Sequence, residues 1–95
     1  MDKAEAKKIL SEKIRELKRS SFQELSQLTD KKNIKTQEVI GKSGTKYQLE
    51  IQAMWDDKPG ETLRIMVSID DFGFRAFYPM TQDFIITPDG SLVDE

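Results

Sequence analysis

Apolar residues near the start of the chain recur at the spacing of an α-helix. No Gly or Pro interrupts residues 3–18. When residues are placed 100° apart around a helix axis, the apolar ones fall within an arc of about 80°. The pattern therefore predicts an amphipathic helix over residues 3–18, with Ile9 beside the buried stripe. The stripe consists of Ala6, Leu10, Ile14 and Leu17.

A second, shorter helix is predicted directly after the first. Ser21 followed by Glu24 is typical of a capping box, in which each side chain satisfies a backbone N–H group that the first turn leaves unpaired. Phe22, Leu25 and Leu28 would form the buried face of this helix. We therefore expect the helical part of the chain to occupy about residues 3–28.

After residue 33 the apolar period changes to the alternation of β-strands. Residues 46–55 and 62–70 alternate strictly, which predicts two neighbouring antiparallel strands. The turn between them carries the sequence DDKPGE. Because the apolar positions of both strands are odd-numbered, this turn must hold an odd number of residues, and three or five are expected. These positions are Tyr47, Leu49, Ile51, Ala53, Trp55, Leu63, Ile65, Val67 and Ile69.

Three further segments complete the predicted sheet. Residues 34–40 form an edge strand, joined to the next strand by the glycine-containing turn GKSGT. The sequence GFRAFYP, residues 73–79, is a predicted fourth strand, and DFIIT, residues 83–87, a short fifth. The sequence thus predicts one α+β domain over residues 1–95. Its two N-terminal helices pack on one face of a four- to five-stranded antiparallel meander sheet at about residues 34–88.

Composition removes several kinds of chemistry. The 95 residues include no Cys and no His, so thiolate or disulfide chemistry and histidine bases are excluded. The net charge is −2, and the positive charge is concentrated in the first 19 residues. We therefore expect no nucleic-acid partner. The start of the chain is charged throughout and no window is apolar enough for a membrane span, so no membrane contact and a cytoplasmic location are expected.

Two short motifs resemble nucleotide sites but lack the rest of the machinery. Asp71-Phe72-Gly73 matches the metal-binding tripeptide of protein kinases, yet no glycine-rich loop or catalytic loop accompanies it. Residues 41–43, GKS, resemble the end of a phosphate-binding loop, but Thr36 stands where that loop needs glycine. We interpret both motifs as turns and expect no cofactor.

Two acidic pairs form a candidate cation site. Asp56 and Asp57 precede the DDKPGE turn's proline, and Asp70 and Asp71 end the next strand. Paired carboxylates chelate hard cations. In a hairpin, however, the two pairs would lie at opposite ends of one strand, about 30 Å apart. The alternative is that these are solvated turn acids that deter edge-to-edge pairing.

The sheet face turned away from the helices carries a candidate interaction patch. Met54, Met66 and Phe77 interrupt a row of polar residues there, with Arg64 and Arg75 close by. Met, aromatic residues and Arg are enriched where proteins bind partners. The alternative is that isolated apolar side chains on a sheet need no explanation.

Several short elements occur together between residues 20 and 92. They are Asp56-Asp57 before Pro59-Gly60, Arg64, Ser68 to Asp71, Arg75-Ala76-Phe77, and Asp83-Phe84-Ile85 before Pro88-Asp89-Gly90. With these elements the segment resembles a small family of bacterial proteins that has no assigned activity. The resemblance implies a bacterial intracellular domain and carries over no chemistry.

The leading functional hypothesis is a non-enzymatic interaction or regulatory domain that binds a protein partner or a second copy through the exposed sheet face. The alternative is a small-ligand or cation-binding domain, with possible hydrolytic activity, that uses the turn carboxylates Asp56, Asp57, Asp70 and Asp71.

Overall fold

The computed structural model describes residues 2–30, 34–71 and 80–93. In these residues, helical segments come first and five strands follow, in the spatial order β1-β2-β3-β4-β5 with every neighbouring pair antiparallel. The predicted α+β meander is therefore confirmed. The elements are α1 (Lys3–Leu17), α2 (Phe22–Ser26), a 3₁₀ turn (Gln27–Thr29), β1 (Lys35–Ile40), β2 (Lys46–Trp55), β3 (Leu63–Asp70), β4 (Met80–Ile86) and β5 (Leu92–Val93).

Both helices begin at a side-chain cap. The Asp2 carboxylate accepts a hydrogen bond from the backbone N–H of Glu5 at 3.1 Å, and Ser21 Oγ accepts one from the N–H of Glu24 at 3.1 Å. These bonds satisfy N–H groups that have no partner within the helix. The Ser21 cap is the helix start that the sequence predicted.

The core lies between the helices and one face of the sheet, which we call the covered face. α1 lies over β3 and β4, and the 3₁₀ turn lies over β2. The predicted helix stripe and the odd-numbered strand positions meet here, with Ile9, Leu17, Phe22 and Trp55 partly buried at the edges. The fully buried side chains include Leu10, Tyr47, Leu49, Leu63, Ile65, Val67, Ile69 and Ile86.

In the β2–β3 hairpin the odd-numbered residues of the two strands face each other, as predicted, but the loop is longer than expected. Trp55 faces Leu63 and Gln52 faces Met66, so every facing pair sums to an even number. Residues 56–62 separate the two strands, which is more than the three or five expected. The N–H of Asp56 donates to the carbonyl of Thr62 at 2.9 Å, so the strand pairing effectively continues to that bond and residues 57–61 alone make the turn.

The last part of the sheet differs from the prediction. β4 begins at Met80, before the expected start at Asp83, and it pairs directly with β3. β5 was not predicted, and it carries the sheet to Val93, past the expected end near residue 88. The predicted strand at residues 73–79 lies outside the described residues.

A polar residue on the covered face explains why the start of β4 was missed. Met80, Gln82, Phe84 and Ile86 share that face, since they pair with or alternate from the buried residues of β3. Gln82 is half-buried there, and its Nε2 donates to Ser11 Oγ of α1 at 3.3 Å. The hydrogen bond lets a polar side chain occupy a position where an apolar one would have completed the alternation.

Candidate interaction face

The second face of the sheet, which we call the open face, has neither helix on it. Residues that face each other across antiparallel strands project to the same side, so the strand register defines its membership. It carries the even-numbered positions of β2 and β3 and the odd-numbered positions of β4. In the three central strands these are Lys46, Gln48, Glu50, Gln52, Met54, Arg64, Met66, Ser68, Asp70, Thr81, Asp83 and Ile85.

Apolar side chains gather at one corner of the open face. Met54, Arg64, Ile85 and Val93 form one row across four strands, because each faces the next in the register. Met66 stands in the neighbouring row, diagonal to Met54. Met54 is 44% exposed and Val93 39% exposed, whereas Ile85 is only 5% exposed. We call these five residues the corner patch.

Arg64 is fixed at the centre of the corner patch by two carboxylates. Its Nε and Nη2 donate to Asp56 Oδ1 at 3.2 and 3.1 Å, and its Nη1 donates to Asp83 Oδ2. The Arg64 side chain is 26% exposed, so the ion pairs lie at the surface and add little to stability. Their effect is to hold the planar guanidinium in one orientation between Asp56 and Asp83.

The structure brings together three of the five residues predicted for the interaction patch. Met54, Arg64 and Met66 are neighbours on the open face. Arg75 and Phe77 lie outside the described residues. The sequence reasoning missed Ile85 and Val93, which join the patch through β4 and β5. No alternation marked Ile85, because residues 81–83 are all polar and residues 84–86 all apolar, and no pattern pointed to the two-residue strand β5.

The far end of the open face is polar apart from Ile40, which faces Lys46 at the edge of the sheet. Lys46 and Glu38 approach to 4.0 Å, and Gln48 faces Asp70. Ser68 Oγ and Thr81 Oγ1 lie 3.3 Å apart nearer the middle. The corner patch therefore has a clear boundary on its own face.

The acidic pairs do not converge. Asp56 and Asp57 follow β2, whereas Asp70 and Asp71 lie at the other end of β3. The carboxylate of Asp56 is engaged by Arg64. Within residues 2–30, 34–71 and 80–93, no three carboxylates come together in a way that could hold a metal ion.

A polar cluster that the sequence did not reveal ties α1 to the β1–β2 hairpin. Glu5 Oε1 accepts from Tyr47 Oη and from Ser43 Oγ, both at 2.7 Å, and Oε2 accepts from the N–H of Ser43 at 3.0 Å. Gly41 makes room for it, since a Cβ at that position would lie 3.0 Å from Tyr47 Cε2 and closer still to the Glu5 carboxylate. We call Glu5, Ser43 and Tyr47 the Glu5 cluster.

Hydrogen bonding and burial in the Glu5 cluster move the pKa values of Glu5 and Tyr47 apart. Donation by the Ser43 hydroxyl, then by Tyr47 and the Ser43 N–H, holds the pKa of Glu5 below its ordinary value. Burial, followed by the hydrogen bond to Glu5, raises the pKa of Tyr47 to about 12. At every pH between these two pKa values the Glu5 carboxylate is charged and the Tyr47 phenol is neutral. This is the protonation state in which Tyr47 can donate its hydrogen bond to Glu5.

Comparisons with protein-family models, with curated proteins and with solved structures found no match to this chain. None of the helices in the described part of the chain is both long and apolar enough to cross a membrane.

Proposed function

We propose that this chain is a non-enzymatic protein-interaction domain that acts through its open face, with the corner patch as the centre of the contact. The observation that carries the proposal is the row of Met54, Arg64, Ile85 and Val93, with Met66 beside it. Methionine adapts its shape to a partner, and arginine is enriched at interfaces. An apolar cluster around an arginine matches that composition.

The corner patch is separate from the core that holds the fold together. Ile65 and Val67 on the covered face are fully buried, while Met66 between them projects to the opposite side and is half-buried. A partner that covered the corner patch would bury the apolar surface that Met54 and Val93 leave accessible, while Ile85 is already buried within the fold. The fixed guanidinium of Arg64 would lose little side-chain entropy on binding, which favours affinity.

A cation-binding function has less support from the geometry. It would need Asp56 and Asp57 or Asp70 and Asp71 to supply several ligands at one point, and calcium takes six to eight oxygen ligands. The two pairs flank opposite ends of β3, and Asp56 already serves Arg64. We therefore favour the interaction domain.

The experiment compares charge substitutions on one face of the sheet. Met54→Lys and Met66→Lys place a charge in the corner patch, and Gln48→Lys adds the same charge at the polar end of the open face. Self-association is measured by sedimentation velocity over a concentration series, and partner capture by affinity purification from host lysate. We expect both methionine variants to lose association or capture and Gln48→Lys to retain it. Equal behaviour of all three variants would contradict the proposal.

A further inference from the structure

β1 offers a row of outward-facing backbone groups at the edge of the sheet. The N–H of Gly41 donates to the carbonyl of Thr45 at 2.8 Å, which makes this a hydrogen-bonded pair. Bonded and non-bonded pairs alternate along an antiparallel ladder. Thr36, Glu38 and Ile40 therefore direct their N–H and C=O groups away from β2. Such an edge is a template on which another strand can pair.

A groove runs beside this edge, because α1 lies over β3 and β4 and leaves β1 uncovered. Its main part has a volume of about 450 Å³, which is within the ~300–1,000 Å³ typical of ligand clefts. A shallower part continues along the strand past Gln37 and Glu16. We call the whole feature the helix–strand groove. Ala4, Lys8, Ile9, Val39, Ile40 and Lys42 line the main part.

The groove and the edge suit the same occupant. A strand added to β1 would bond to Thr36, Glu38 and Ile40, and its alternate residues would face the helix side, as Val39 does. The residue opposite Val39 would enter the groove between Ile9 and β1. Ile40 is 65% exposed, so the edge also presents apolar surface to such a strand. Main-chain bonds with one side-chain pocket are the geometry of β-strand addition.

The charge at the hairpin end of the groove selects an acidic residue in the added strand. Lys8 and Lys42 both line this end, and neither has an ion-pair partner within the described part of the chain. Glu5 and Glu12 also line the groove, but the Glu5 carboxylate turns toward Ser43 and Tyr47. Neither carboxylate forms an ion pair with Lys8 or Lys42 in the described part of the chain, so both ammonium groups remain available to an acidic side chain.

A second copy of β1 fits this site poorly. Only the even-numbered residues of β1 direct their backbone N–H and C=O groups away from β2. Two antiparallel copies of β1 can therefore bond only when the numbers of two facing residues add up to an even number. Centring on Gln37 would place the partner's Lys35 beside Val39, next to Lys8 and Lys42. Centring on Glu38 would oppose two carboxylates, which is destabilising. Centring on Val39 would place Gln37 of the second copy opposite Gly41, where Lys8 and Lys42 would gain no carboxylate. None of these three registers of self-pairing therefore matches the charge of the groove.

We propose that the helix–strand groove binds an extended segment of a partner polypeptide as an added antiparallel strand on β1. An apolar side chain of that segment lies beside Val39 and Ile9. The acidic side chain two residues before it lies next to Lys8 and Lys42. This site is separate from the corner patch and does not depend on it.

The test uses a blocked synthetic peptide, Thr-Asp-Thr-Leu-Thr-Val-Thr, added to the full chain while the backbone amide resonances are followed by NMR. We expect saturable shifts at Thr36, Glu38 and Ile40 and along Lys8 and Ile9. In the proposed register the backbone N–H of the threonine after leucine donates to β1, whereas the backbone N–H of leucine points away from β1. N-methylation of that threonine should weaken peptide binding at least about tenfold, and N-methylation of leucine should leave it unchanged.

Charge variants provide a matched control. Lys8→Glu with Lys42→Glu should weaken binding of the aspartate peptide at least about tenfold and should favour the same peptide with lysine in place of aspartate. Lys7→Glu with Lys58→Glu makes the same charge change outside the groove and should leave binding unchanged.

Three outcomes would overturn the proposal. The first is the absence of shifts in β1 at millimolar peptide. The second is shifts confined to Met54, Met66 and their neighbours, which would assign peptide binding to the corner patch instead. The third is a change of the β1 resonances with protein concentration alone, which would show that a second copy occupies the edge.

Discussion

The two faces of the sheet are built from adjacent residues of the same strands but serve different ends. On the covered face, Leu49, Ile65 and Val67 are at most 1% exposed and pack under the helices. On the open face, Met54 keeps 44% of its surface exposed, and the neighbouring Arg64 is held by two carboxylates. Strand alternation thus separates residues that stabilise the fold from residues that remain available to a partner.

This division implies that substitutions on the two faces have different consequences. A change on the covered face removes buried apolar area, so it lowers the free energy of unfolding. A change in the corner patch alters a surface, so it affects binding more than stability.

Leu10→Asp should produce the largest effect. Leu10 is fully buried between α1 and the sheet, so the substitution both leaves a cavity and places a charge in an apolar site. We expect the free energy of unfolding to fall by at least about 3 kcal/mol. Urea unfolding followed by circular dichroism measures it. Lys7→Asp, on the exposed side of the same helix, is the control, and equal losses in both variants would contradict the packing of α1 on the sheet.

Gly41→Ala should have an intermediate effect, at the hairpin end of the covered face. The new methyl group would overlap the Glu5 carboxylate and crowd the Tyr47 ring. We expect a loss of about 1–3 kcal/mol, as for overpacking elsewhere. The loss should be smaller when Gly41→Ala is made in a Glu5→Ala background, because the main clash is then gone. The same loss in both backgrounds would show that the Glu5 carboxylate is not what limits this position.

The Glu5 cluster should make the free energy of unfolding depend on pH in the acidic range. Because the folded pKa of Glu5 is lowered, its contribution is fully present above the ordinary carboxyl value of 4.5 and is lost as the pH falls through the lower folded value. Ser43→Ala removes the largest cause, so the pKa of Glu5, measured by carboxyl NMR, should rise toward its ordinary value. Ser68→Ala, on the open face, should leave it unchanged.

At alkaline pH, the contribution of Tyr47 to the free energy of unfolding changes in the opposite direction. The folded pKa of Tyr47 is about 12, above its ordinary value of 10.0, so this contribution is present below 10.0 and lost as the pH rises through the folded value. Tyr47→Phe should remove that part of the alkaline loss of stability. If the free energy of unfolding of Tyr47→Phe falls at alkaline pH as much as that of the wild type, other groups cause the loss.

Much of the fold was predictable because local patterns and packing agree. The spacing of Ala6, Leu10 and Ile14 fixed the buried side of α1, and strict alternation fixed the covered side of β2 and β3. The start of β4 was not predictable in the same way, because Gln82 interrupts the apolar period and is accommodated by a hydrogen bond to Ser11 of α1. β5 has two residues, which is too short for any period.

The candidate sites were less predictable because they depend on contacts between distant segments. Met54, Arg64 and Met66 followed from the parity of one hairpin, whereas Ile85 and Val93 join them through the register of two later strands. Glu5 lies 38 positions before Ser43 and 42 before Tyr47, far outside the three- or four-residue spacing that helix patterns reveal. The acidic pairs, in contrast, were correctly expected to lie apart, because the hairpin topology alone separates them.

The most direct test of the division between the faces is a matched pair of substitutions at adjacent residues of β3. Ile65→Lys places a charge in the core, and Met66→Lys places the same charge in the corner patch. Urea unfolding of both variants gives the two free energies. We expect Ile65→Lys to lose at least about 3 kcal/mol and Met66→Lys to remain within about 0.5 kcal/mol of the wild type. A loss in Met66→Lys comparable with that in Ile65→Lys would show that Met66 belongs to a core, and the corner patch would then not be a site for a partner.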